Sequence, residues 1–150
     1  LDGSENASVQ FAKCCRPIPG DAIVGYLGRG EGLVVHFHDC PVAKKLLYKD
    51  AERFINVDWS DEPVRPFETG VMVTAKNGKG VLAKVAAALA AAEADIVHID
   101  MGHDGAQEDV DFRFVIGVRD TGHLSVVLRN LSRTASVMRA ERRKVANPAS

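Results

Sequence analysis

Apolar and polar positions fall into two patterned blocks, separated by Ser60-Asp-Glu-Pro-Val-Arg-Pro66, where two prolines and three charges interrupt both helical and strand periodicity. In the second block Val71, Val73 and Ala75 alternate with Met72, Thr74 and Lys76, the period of a strand, which Asn77-Gly-Lys-Gly80 ends. Val81, Leu82, Val85 and Leu89 then repeat at helical spacing to about Glu93. Ile96 to Met101 reads as a strand, residues 102–108 as a loop, and Val110, Phe112, Phe114, Ile116 and Val118 as a long alternating strand. Leu124, Val127, Leu128 and Leu131 predict a second amphipathic helix, and Ser136 to Ala140 a last strand.

The first block is less regular. Short strands are predicted at Val9 to Ala12, Ala22 to Leu27 and Leu33 to His36, the last two joined through Gly28-Arg-Gly-Glu-Gly32. Asp39 is the expected cap of a helix carrying Val42, Leu46 and Leu47, and Phe54, Val57 and Trp59 sit near one more short strand. The fold class is therefore α+β: a small β-rich module over residues 1–62, a linker at 63–68, and a ferredoxin-like βαββαβ sandwich over 69–150 that ends in a basic tail. The two blocks are expected to fold separately, with Pro63 to Pro66 exposed and few contacts crossing between them.

Composition changes this picture little. Hydrophobic content of 46% and a formal net charge of -1 describe a globular chain, and no apolar run approaches the roughly 20 residues of a membrane helix. The opening leucine and the lack of a signal-type segment lead us to expect a piece of a longer protein, and three cysteines, an odd number, favour a reducing cytoplasm. Residues 1–62 sum to -3, 63–135 to -1 and 136–150 to +3. Only Arg139-Ala-Glu-Arg-Arg-Lys144 is basic, and it reads as a solvated tail, with a contact to RNA or to an acidic partner as the minority reading.

The first block's chemistry lies in Cys14-Cys15 and His36-Phe-His-Asp-Cys40. Three thiols and two imidazoles are the ligand types of tetrahedral zinc, and the hairpin between the two groups lets them meet. Cys14, Cys15, His36 and Cys40 are the expected ligands, with His38 as substitute. Adjacent strand residues face opposite ways, so Cys14 and Cys15 can share one metal only if the chain bends there. The alternatives are small buried hydrophobes beside surface histidines, or a catalytic Cys/His pair, which lacks an evident oxyanion site.

In the second block Asn77-Gly-Lys-Gly-Val-Leu82 turns a strand into a helix, where glycine admits a ligand and free amides receive a carboxylate; a capped tight turn is the simpler reading. The spacing excludes a Walker-type phosphate loop. His98, Asp100, His103 and Asp104, like Asp109 and Asp111, read as solvated polar residues rather than a second metal site.

The stretch Phe11-Ala-Lys-Cys-Cys-Arg-Pro-Ile-Pro-Gly-Asp-Ala-Ile-Val-Gly-Tyr26, followed by Gly32-Leu-Val-Val-His36 and Asp39-Cys40, resembles the conserved-cysteine module of long RelA/SpoT proteins, also called the zinc-finger or ribosome-inter-subunit (RIS) domain. Thr69 to Ala140 resembles an ACT domain, with Asn77, Gly80 and Val81-Leu82 on its ligand turn and Asn77 in place of a frequent aspartate. The resemblance implies a non-catalytic regulatory piece of a guanosine tetraphosphate (ppGpp) synthetase or hydrolase of the stringent response, without catalytic residues of its own. It implies Cys14, Cys15, His36 and Cys40 as the family's Cys/His positions, with Zn2+ as the metal. It also implies a ligand at Asn77, Gly78, Gly80, Val81 and Leu82, with branched-chain amino acids the first candidates, in a homodimer formed through the ACT domain. The expected partners are the parent's N-terminal catalytic domains, ribosomal RNA or a regulatory protein, with no membrane. A free-standing metal- or amino-acid-binding sensor is the alternative.

Overall fold

The computed structural model describes residues 9–28, 30–60, 66–102 and 108–143. Strands β1 (Val9–Phe11), β2 (Ile23–Gly28), β3 (Gly32–Phe37) and β4 (Phe54–Ile55) form one sheet in the order β1-β3-β2-β4, with helix α1 (Pro41–Lys49) between β3 and β4. Strands β5 (Phe67–Lys76), β6 (Asp95–Gly102), β7 (Asp109–Val118) and β8 (Val137–Arg143) form an antiparallel sheet ordered β6-β7-β5-β8, which α2 (Val81–Ala91) and α3 (Thr121–Ser132) complete as the βαββαβ sandwich.

The alternation in β7 does what it predicts: Val110, Phe112, Phe114, Ile116 and Val118 are all buried against Val81, Val85 and Leu89 of α2 and Leu124, Val127 and Leu131 of α3. Asp120 caps α3 by accepting the His123 amide at 2.8 Å. His123 itself is buried and ties the two helices together. Its Nδ1 accepts the Arg119 amide at 3.0 Å and its Nε2 donates to the Ala92 carbonyl at 2.7 Å.

Several expectations are corrected. Phe67 and Glu68, assigned above to the linker, are the first rungs of β5, paired with Val118 and Gly117. Residues 63–65 of that linker and His103 and Asp104 lie outside the described residues. Asp39 is not the cap of α1: Cys40 holds that position and Pro41 opens the helix. Of that helix only Ala43 is buried, while Val42 and Leu47 are largely exposed. The basic run is only partly solvated: Arg139 to Arg143 belong to β8, where Arg142 is almost wholly enclosed while Arg139 is exposed, and Lys144 lies outside the described residues.

The boundary is bridged by a seam of specific side-chain contacts, although no element of one block packs broadly on an element of the other. Ile18 leaves its own block and is fully buried in the core of the sandwich. Phe11 stacks on Trp59 at 5.6 Å, and both meet Phe67 edge-on at 5.4 and 5.3 Å. The Pro19 carbonyl accepts the Thr121 amide at 2.9 Å, and Gly20, at φ +105, lies so close to Thr121 that a Cβ there would collide with it. At the centre Arg142 makes a bidentate pair with Asp21 at 2.7 and 2.8 Å and donates to Thr69 Oγ1 and to the Arg16 carbonyl.

Candidate metal centre

The core of the first block is small. Ala12, Cys15, Phe37, Cys40 and Ala43 make it, so two of its five buried members are cysteines. Such a core gains from a staple, because few large apolar groups are available to offset chain entropy.

The bend required at Cys14-Cys15 is present. Residues 13–15 form a turn after β1, closed by the Arg16 amide on the Ala12 carbonyl at 2.8 Å, and Arg16 takes a left-handed φ of 49°. Cys14 and Cys15 therefore leave strand geometry and face the same centre. His36 reaches it from β3 and Cys40 from the start of α1, after a turn in which the Cys40 amide meets the Phe37 carbonyl at 3.1 Å.

The four ligand atoms all lie within 4.8 Å of one another. Cys14 Sγ stands 3.4 Å from His36 Nδ1, 3.6 Å from Cys40 Sγ and 3.9 Å from Cys15 Sγ, and Cys15 Sγ is 3.9 Å from His36 Nδ1. Tetrahedral zinc separates thiolate ligands by about 3.8 Å and thiolate from imidazole by about 3.6 Å. The cluster thus has the donor types and spacing of a metal site, such as one for Zn2+. The expected substitute His38 is exposed and outside the cluster.

The three thiols are not equivalent. Hydrogen bonding with Cys15, against the opposing effect of burial and with help from His36 and Cys40, holds Cys14 down at about 4. The same contact with Cys14, together with burial, drives the Cys15 thiol up. Burial raises Cys40, against the pull of the Ala43 and Val42 amides at the start of α1. A cluster in which one thiol is held down and two are pushed up is poised to exchange protons for a cation. A Zn2+ held here by Cys14, Cys15, His36 and Cys40 would cross-link β1, β3 and α1.

The glycine turn is elsewhere. Asn77, Gly78, Lys79 and Gly80 are exposed, Val81 is buried and Leu82 is 38% exposed. Gly80 is the N-cap of α2 at φ +78, without a side-chain hydrogen bond to the helix. Residue-by-residue reading missed Arg142 and His123, which carry no motif and take their roles from packing.

Comparison with known proteins follows this division. The ACT domain matches residues 63–142, more than half of the chain, which therefore belongs to that family. The RelA/SpoT RIS domain matches residues 1–60, and the two in tandem make the chain a RIS-plus-ACT regulatory module of the RelA/SpoT type rather than a catalytic core. The bifunctional (p)ppGpp synthase/hydrolase SpoT of Escherichia coli is 31% identical over 145 residues, covering 96% of this chain and 20% of that protein. The bifunctional (p)ppGpp synthase/hydrolase RelA of Mycobacterium tuberculosis is 34% identical over 141 residues, covering 93% and 19%. The chain thus spans about one fifth of the length of these relatives. The ACT domain of the GTP pyrophosphokinase of Chlorobium tepidum aligns at 17% identity with a TM-score of 0.46, covering 52% of this chain and 99% of that one. No helix among the described residues is long and apolar enough to cross a membrane.

Proposed function

We propose that the chain is the sensing part of a longer cytoplasmic guanosine tetraphosphate synthetase or hydrolase, relaying the state of a bound ligand or partner to catalytic domains elsewhere in the parent. The observation that carries this reading is the seam itself. The Cys/His module and the ACT sandwich share a core residue, an aromatic cluster and an enclosed ion pair, so a change in either is felt by the other.

In this reading a small amino acid binds at Asn77, Gly78, Gly80, Val81 and Leu82. Support comes from the uncapped start of α2 and from the open space beside Gly78 and Gly80, where an added Cβ would meet nothing within 4 Å. A turn so exposed encloses a ligand only against a second surface, which a homodimer through residues 69–140 would provide. The outer edge of β6, with Ile96, Val97 and Met101 exposed, suits such a contact. Contact with ribosomal RNA or a regulatory protein is the further partner expectation.

Isothermal titration with valine or isoleucine tests the ligand site. Saturable binding is expected, and Gly80→Asp, which adds a negative charge and strains a left-handed position, should abolish it while the protein remains dimeric. Binding unchanged in Gly80→Asp would move the site elsewhere. No binding of any amino acid would leave regulation by a protein or ribosomal partner.

A further inference from the structure

Between the Cys14-Cys15 turn and the helix-free face of the ACT sheet lies a cleft of about 350 Å³. Lys13, Arg16, Arg113 and Arg143 line it against the Asp100 carboxylate and the Cys14 and Cys15 sulfurs. Four cations gathered in one concavity stand out in a chain whose formal net charge is -1.

Two of the four are occupied. Arg113 meets Asp100 at 3.2 Å and Arg16 meets Glu68 at 3.0 Å, both in exposed pairs of the weak, exchangeable kind. Lys13 and Arg143 have no carboxylate within ion-pair distance among the described residues. They approach the cleft from different blocks, Lys13 from the turn before the cysteines and Arg143 from the end of β8. The seam fixes both elements, since the neighbouring Arg142 is anchored to Asp21 and to the Arg16 carbonyl.

The floor is apolar and low. Gly70 pairs with Arg143 on one side and Val115 on the other, and where a side chain would fill the cleft it has none. Charged rim and flat apolar floor together match a phosphorylated ligand with a planar, weakly polar portion. The volume is that of a small-ligand pocket. A nucleic-acid backbone instead requires cations in an extended track, and residues 1–62 sum to -3 even with Lys13 and Arg16 included.

We propose that this cleft binds a compact polyphosphate, of the kind carried by a nucleotide, between Lys13 and Arg143. Guanidinium and ammonium groups together supply the bidentate and point-charge contacts that suit adjacent phosphates. The inference does not depend on the amino-acid reading of the glycine turn, which lies on other elements.

The test is isothermal titration of the zinc-loaded chain with inorganic pyrophosphate, with guanosine 3',5'-bis(diphosphate) and with a single-stranded RNA oligomer, at physiological ionic strength. One-to-one binding of at least one small phosphate is expected, with Arg143→Gln and Lys13→Gln each weakening it about tenfold. Arg139→Gln should change it by less than about twofold, because Arg139 stands roughly 13 Å from Arg143 along β8, beyond a Debye length. Tighter binding of the nucleotide than of pyrophosphate would add the apolar floor to the site, and equal binding would confine recognition to the phosphates. The proposal is overturned if neither small phosphate saturates, if binding survives both substitutions, or if Arg139→Gln weakens it equally. It is also overturned if only the RNA binds through Lys13 and Arg143.

Discussion

Replacing Arg142 by methionine should unfold the two blocks at markedly lower stress, because the guanidinium is the polar centre of the seam. The side chains of Arg142 and Asp21 are only 10% and 9% exposed. Methionine keeps an unbranched apolar stem but deletes all the donors, together with the guanidinium that stands 4.9 Å from the Phe37 ring centre. Removing one member of a buried pair costs about 3–5 kcal/mol, since the other is left desolvated without compensation, and the residual exposure argues for the lower end, about 3 kcal/mol. For a chain of 150 residues that corresponds to a fall in Tm of roughly 6–12 °C. Urea unfolding should be followed by far-UV circular dichroism and by the fluorescence of Trp59, the chain's single tryptophan, whose indole N–H donates to the Asp21 carbonyl at 3.0 Å. The two probes should coincide in the native sequence. The Asp21→Asn/Arg142→Met double variant should lose less than the sum of its single variants, by about 2 kcal/mol. A loss below about 1 kcal/mol for Arg142→Met, the range of an exposed ion pair, or strict additivity in the cycle, would refute the argument that this pair holds the seam.

Zinc binding at neutral pH should release two protons, from Cys15 and Cys40, because hydrogen bonding holds Cys14 low while burial and its neighbours push the other two thiols up. Apparent affinity should therefore rise with pH by about two log units per pH unit while those thiols remain protonated, measured by titration in buffers of different ionisation enthalpy; release of three would show that Cys14 begins as a thiol. His123→Ala should cost about 2 kcal/mol in thermal melts, because it strands the Ala92 carbonyl in a buried site and leaves the part-buried Arg119 amide without its acceptor. A cost near zero would mean that water replaces both contacts.

Most elements were legible because their periodicity is local. In β7 every second residue from Val110 to Val118 is apolar, and a pleated strand turns that spacing into one buried face whatever covers it. That Cys14, Cys15, His36 and Cys40 would gather was legible for a different reason, the scarcity of thiols: three cysteines and a histidine separated by one hairpin form a cluster compatible with a metal. What chemistry did not reveal there is the left-handed Arg16 that aims Cys14 and Cys15 at one centre.

The seam was not legible at all. Ile18 sits in a proline-rich turn and Arg142 in a run of charges, and each local pattern argues for exposure. Their burial is set by two separately patterned surfaces meeting, with Asp21 lying 121 positions from the arginine it pairs with. Sequence periodicity specifies which face of an element turns inward. It does not specify which other surface an outward face will meet, because that depends on shape and partner charge brought together only when the chain has folded.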